Sequence, residues 1–168
     1  MRIRPEQPGD FEAIASVVEA AFGRSLEARL VEAIRASDAF VAELALVAEV
    51  DGEIVGHTML SYSTVEDVAR RVLQLSPLAV RPDRQRAGVG STLVRTALRR
   101  ADKLGEPLVV VLGIPAYYPR FGFRPSSQLG LAAPDPATPD AEFMAVPLTA
   151  YDPTIRGRVV FSPAFDLT

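Results

Sequence analysis

The sequence predicts one α+β (mixed α/β) domain over residues 1–168. Three observations predict it. Strand-like and helix-like segments alternate in mixed order. An Asp-Gly pair joins two apolar, β-branched runs, and one long amphipathic helix stands between two apolar strands. A chain of 168 residues suits one domain with a sizeable core.

The alternating segment "MRIRPE" reads as a short first strand. In "FEAIASVVEAAF" the residues Phe11, Ile14, Val17, Val18 and Ala21 follow the helical period, with Asp10 as N-cap. A second helix covers "LEARLVEAIRAS", with Leu26, Leu30 and Ile34 on one face. Asp51-Gly52 predicts a two-residue hairpin, because a type I′ turn needs positive φ. "RRVLQLSPLAV" is a further strand. From Gly88 to Leu104 an apolar face of Val89, Leu93, Val94, Ala97, Leu98 and Ala101 opposes a charged one, and Gly105 stops the helix. "EPLVVVLG" reads as a buried strand, "PAYYPRF" as one short helical turn, and "GFRPSS" as the start of the next strand. A loop rich in Pro, Ala and Asp leads to a strand at Glu142–Leu148, and "RVVF" reads as an edge strand.

Composition narrows the function. Apolar residues make up 48% and charged residues 23%, which is ordinary for a globular chain. The net charge of −3 argues against nucleic acid as a partner. With no cysteine, disulfides, thiolate metal sites and an acyl-cysteine route are excluded, and no metal is expected. No apolar run approaches a membrane span, and the N-terminus lacks a signal-peptide core, so a cytoplasmic protein is expected.

The stretch "VRPDRQRAGVGSTLV" has phosphate-loop character. It lacks the lysine of a Walker A loop and the third glycine of a dinucleotide fingerprint. What remains is Q-x-x-G-x-G, from Gln85 to Gly90, between a strand and a helix. Glycines there let backbone approach an anion, and a helix N-terminus offers free N–H groups to it. Arg81, Arg84 and Arg86 are candidate cationic contacts. By its letters alone the loop reads equally well as a plain helix start with solvated arginines.

Its neighbours add a resemblance. Leu78-Ala79-Val80 stands just before the loop, and Tyr118-Pro119-Arg120-Phe121-Gly122-Phe123 follows the next strand. In that order these motifs resemble the GNAT superfamily of acetyl-CoA-dependent N-acetyltransferases, and within it the YhbS-like subgroup. The resemblance covers most of the chain. It implies a central, mostly antiparallel sheet with a splayed central strand pair and flanking helices. Pro77 then marks a bulge in the fourth strand. The backbone of Leu78, Ala79 and Val80 is implied to pair with the pantetheine arm of acetyl-CoA. Gln85, Arg86, Ala87, Gly88, Val89, Gly90 and Ser91 are implied to hold its pyrophosphate. Tyr118 is implied to protonate the leaving thiolate, with Tyr117 as a neighbour turned away.

The reaction so implied is direct transfer of acetyl to a primary amine of a small molecule or peptide. A homodimer is a family-level expectation. One departure is Ile114, where the subgroup carries a polar residue. That departure, with the lack of an evident general base, supports a second reading as a non-catalytic acyl-CoA-binding module. His57, the only histidine, reads as structural, and Glu66 and Asp67 as a solvated turn.

Overall fold

The computed structural model describes residues 1–167. Its strands are β1 (Arg2–Pro5), β2 (Ala45–Val50), β3 (Glu53–Val65), β4 (Val68–Val80), β5 (Leu108–Leu112), β6 (Arg124–Pro125), β7 (Leu131–Ala132), β8 (Phe143–Pro147) and β9 (Gly157–Val160). Its α-helices are α1 (Phe11–Phe22), α2 (Leu26–Arg35) and α3 (Val89–Lys103). The main sheet runs β1-β2-β3-β4-β5-β8-β6, and β9 pairs with β3 and β7. Every ladder is antiparallel except β4–β5 and β7–β9.

Alternation along the strands separates the faces of the sheet, and the buried residues gather in three clusters. Leu46, Ala48, Leu73 and Leu75 pack with Leu93, Val94 and Ala97 of α3. Ala45, Val47, Met59 and Ala79 pack with Ile14, Val17 and Val18 of α1 and with Val31 and Ile34 of α2. The sheet is therefore covered by α3 on one face and, on the other, by α1 and α2 over one part and by Leu129, Leu131, Ile155 and Val159 over the rest. Gly56 marks the closest approach of β3 to α3, because a Cβ there would meet Val89 at 2.9 Å and Leu93 at 3.0 Å.

The turn at Asp51 and Gly52 has φ of 51° and 79°, as a type I′ hairpin requires. Two details differ from the sequence reading. Asp10 precedes α1 but makes no side-chain cap to it. Its carboxylate instead accepts from Arg4 Nη1 at 2.7 Å and from the Gln7 N–H at 2.8 Å. In α2 the buried residues are Glu27, Ala28, Val31 and Ile34, while Leu26 and Leu30 are only half-buried.

The decisive irregularity lies in β4. The register against β3 shifts between the pairs Thr58–Leu78 and Leu60–Leu75. Before the shift odd-numbered residues face α3, and after it Leu78 and Val80 do. A one-residue bulge flips the faces in this way, and it sits at Ser76-Pro77, a cis peptide. Beyond it β4 leaves β5, whose parallel pairing covers only Leu73–Val109 and Gln74–Val110.

Candidate active site

The N–H of Arg81 donates to the Val55 carbonyl at 2.8 Å, which fixes the hydrogen-bonding phase of β4. In an antiparallel ladder the backbone of Ala79 then faces β3 as well, while that of Leu78 and Val80 faces away. With β5 already parted, those outward groups look into a gap. The Val80 carbonyl is met there by Gln85 Nε2 at 3.1 Å.

Two clefts fill this gap. One, of about 590 Å³, lies between Leu78 and Val80, the segment Arg84–Arg86, and Gly88–Ser91 at the start of α3, with Tyr117 and Arg120 on the far wall. The other, of about 620 Å³, lies between Leu75–Leu78 and Leu112–Ile114, with Tyr118 on its floor and Phe22, Arg24, Glu27 and Leu30 opposite. Phe22, Leu78 and Tyr117 line both, so the clefts join at those three side chains.

The first cleft offers an anion site. Arg86 and Gly88 adopt left-handed backbone, with φ of 60° and 85°. Gly88 caps α3, no side chain caps the helix, and its carbonyl accepts the Thr92 N–H at 3.0 Å. The N–H groups of Val89, Gly90 and Ser91 precede that first helical bond and stay free to bind an anion at the positive end of the helix. A Cβ at Gly90 would stand 3.0 Å from the Tyr117 hydroxyl, so glycine keeps the passage open. Free N–H groups, cationic Arg84 and Arg86, and outward strand backbone together suit a diphosphate carried on a narrow amide chain.

Most of the expected contacts come together here, and three do not. Ala79 is buried against the α1/α2 core, and neither its side chain nor its backbone faces the gap. Ala87 is exposed on the loop and does not line the cleft. Arg81 is taken up by Glu53 at 3.2 Å and Asp83 at 2.6 Å. Arg120 was not foreseen. It lines the cleft, donates to the Tyr117 carbonyl at 2.8 Å, and lies 4.4 Å from the Tyr117 ring centroid.

Tyr118 is 8% exposed and wedged among Tyr117, Phe121 and Phe123. Its hydroxyl makes no hydrogen bond among the described residues, although the side chain reaches the second cleft. Burial, with the neighbouring Tyr117, pushes its phenol up to about 12, so it keeps its proton across the neutral range. Tyr117 lines both clefts rather than turning away from them.

His57 lies on neither cleft. It is fully buried, and its Nε2 donates to Glu6 Oε1 at 3.0 Å. Glu6 also accepts from Arg35 Nε at 2.6 Å. Burial lowers the His57 pKa, and its Nδ1 has no partner. Burial pushes Glu6 up, but the bonds from His57 and Arg35 outweigh it and hold the carboxyl below its ordinary value. Glu66 and Asp67 form the β3–β4 turn and line neither cleft. Glu27 escaped the sequence reading. It is the one carboxylate lining the second cleft among the described residues, and Arg24 holds it through Nε bonds of 2.9 and 3.0 Å.

A sheet parted at a proline bulge, with a glycine-capped helix aimed at the gap, defines a fold that binds an extended, phosphate-bearing ligand. The family model of the acetyltransferase (GNAT) domain matches residues 2–126, and the chain belongs to that family. It is 36% identical to the uncharacterized N-acetyltransferase YjhQ of Escherichia coli K12, over 89% of this chain and 86% of that one. It is 34% identical to the uncharacterized N-acetyltransferase YhbS of Escherichia coli K12, over 84% of each. The crystal structure of Escherichia coli YhbS in complex with CoA superposes with TM-score 0.90 at 29% identity, covering 99% of this chain and 92% of that one. A GNAT acetyltransferase of Brucella melitensis in complex with acetyl-CoA superposes with TM-score 0.81 at 32% identity, covering 98% and 97%. No helix among the described residues is long and apolar enough to cross a membrane.

Proposed function

We propose that the chain, as one domain of residues 1–168 in the cytoplasm, transfers acetyl from acetyl-CoA directly to a primary amine of a small molecule or peptide. The observation that carries this reading is the joining of the two clefts at Phe22, Leu78 and Tyr117. One cleft has the anion-binding helix start, and the other has a protonated phenol. A thioester lying at the junction would face both.

The outward backbone of Leu78 and Val80 would receive the amide arm as a neighbouring strand would. The Leu78 N–H would polarise the thioester carbonyl, and Gln85 would yield the Val80 carbonyl to the ligand. Val89, Gly90 and Ser91 would hold the diphosphate through their N–H groups, with Arg84, Arg86 and Arg120 around it. The neutral amine attacks the carbonyl carbon, and a C–N bond forms as the C–S bond breaks. The sulfur takes the Tyr118 proton, and the nitrogen loses its surplus proton to water in the open cleft. The tyrosinate recovers its proton from solvent.

Calorimetry with acetyl-CoA tests the first half, and saturable binding is expected. No binding at millimolar acetyl-CoA overturns the proposal. For the second half, Tyr118→Phe should lower kcat on the order of a hundredfold, with acetyl-CoA affinity retained. Tyr117→Phe serves as the comparison. If Tyr117→Phe is the slower variant, the proton comes from Tyr117 instead.

A further inference from the structure

The second cleft has an uneven lining. Among the described residues its only charged side chains are Arg24 and Glu27, and they pair with each other. The remaining wall is largely apolar. Phe22, Leu112 and Ile114 are 41%, 49% and 68% exposed, and all three line this cleft, Phe22 at its junction with the first. Large apolar side chains left in water and gathered around one opening mark a surface that receives apolar matter.

Within that surface sits one anion. The Glu27 side chain is 11% exposed, whereas that of Arg24 is 63% exposed. A carboxylate has about four acceptor positions, so a two-pronged arginine on one edge leaves it room to accept more. Arg24 also keeps Glu27 ionised, since its hydrogen bond lowers the carboxyl pKa against the opposing effect of burial. Such a carboxylate is too weak a base to strip an ammonium. It is well suited to accept hydrogen bonds from an amine and fix its direction.

We infer that the acceptor is a primary amine carried on an apolar body, with Glu27 receiving the amine and Phe22, Leu112 and Ile114 receiving the body. The inference rests on the transferase reading above. A polyamine or aminosugar would bring several cations or hydroxyls to a cleft with a single carboxylate and apolar walls. Those groups would lose water without finding partners. Ile114 then acts as the specificity residue at the mouth, and its apolar character fits the substrate class.

The test uses the full chain with saturating acetyl-CoA, following CoA release and confirming the acetylated amine by mass spectrometry. The panel is phenethylamine, hexylamine, ethanolamine and spermidine. The two apolar amines should exceed the polar two in kcat/KM by on the order of tenfold or more. Glu27→Gln should raise KM for phenethylamine on the order of tenfold while leaving acetyl-CoA affinity unchanged. Ile114→Asp, a change at an exposed position, should move preference toward spermidine even if Glu27→Gln folds poorly. Equal or better use of the polar amines overturns the inference. So does an unchanged KM in a folded Glu27→Gln variant, or the absence of turnover with every amine. Calorimetry separates the two failures. Acetyl-CoA bound with the wrong amine preference sinks this inference alone, whereas acetyl-CoA not bound sinks the transferase reading with it.

Discussion

The ring of Tyr118 occupies the space in which a side chain at Gly113 would begin. Gly113 directly follows the apolar strand β5, and Tyr118 opens the next short helical turn. The glycine is thus the seat of the phenol, and any Cβ there pushes the ring off it.

Gly113→Ala should therefore displace Tyr118 without touching the loop at the start of α3. The expected cost in stability is about 1–3 kcal/mol, as for an overpacked core. Turnover should fall on the order of tenfold or more while acetyl-CoA affinity holds, because a small misplacement of a reacting group is costly. Calorimetry and steady-state kinetics on one preparation check it. A fall in affinity with kcat intact would contradict it.

Gly88→Ala tests the helix start. Gly88 has φ of 85°, and a Cβ there meets no atom within 4 Å. The penalty is therefore conformational, about 1–2 kcal/mol for an L residue in left-handed backbone. Relaxation of that strain would turn the free N–H groups of Val89, Gly90 and Ser91. The acetyl-CoA Kd should rise on the order of tenfold, about 1.4 kcal/mol of binding. An unchanged Kd would show that the helix start does not hold the ligand.

The linked trio of buried His57 with half-buried Glu6 and Arg35 predicts a pH dependence of stability. His57 donates through Nε2, so a second proton would have to enter at the buried, partnerless Nδ1. Its folded pKa lies below the ordinary 6.5, so the unfolded chain takes up the proton first. The stability it contributes is full above pH 6.5 and drains as pH falls below it. One such proton is worth up to about 1.4 kcal/mol per pH unit. Glu6 adds the same sign only at lower pH, since its carboxyl is held below 4.5. Thermal unfolding from pH 8 to pH 5 should show a decline that His57→Gln flattens. An identical slope in both proteins would remove His57 as its source.

The sequence was most legible where a local rule had one solution. Asp51-Gly52 demanded positive φ and formed the hairpin. Pro77 could not donate to a ladder, and the register breaks there. In α2, by contrast, Leu26/Leu30/Ile34 and Ala28/Val31/Ile34 both follow the helical spacing. Packing of α2 against α1, the sheet and the Pro163–Phe165 turn decides between them, and Glu27 is buried with Ala28, Val31 and Ile34. Burial of Glu27 is tolerable because Arg24, beyond the helix start, reaches back to it, a pairing that composition does not reveal. The resemblance implies free backbone at Leu78, Ala79 and Val80 alike, whereas in the fold Ala79 faces β3, because the phase depends on one bond from Arg81 to β3. His57 shows the same limit. Its partner Glu6 lies 51 residues away, Arg35 bonds to Glu6 across 29 residues, and only the fold joins the three.

Because β4 meets β5 through Leu73 and Gln74 alone, the strand order divides into two half-sheets sewn at one short seam. Helix α3 underlies both, its Leu93, Val94, Ala97 and Ala101 sharing a cluster with Leu73 and Leu75 on one side and Val109, Val111 and Met144 on the other. The first cleft is lined by Leu78 and Val80 of β4 on one side and by Tyr117 and Arg120, beyond β5, on the other. A ligand lying in the first cleft would therefore touch both half-sheets at once.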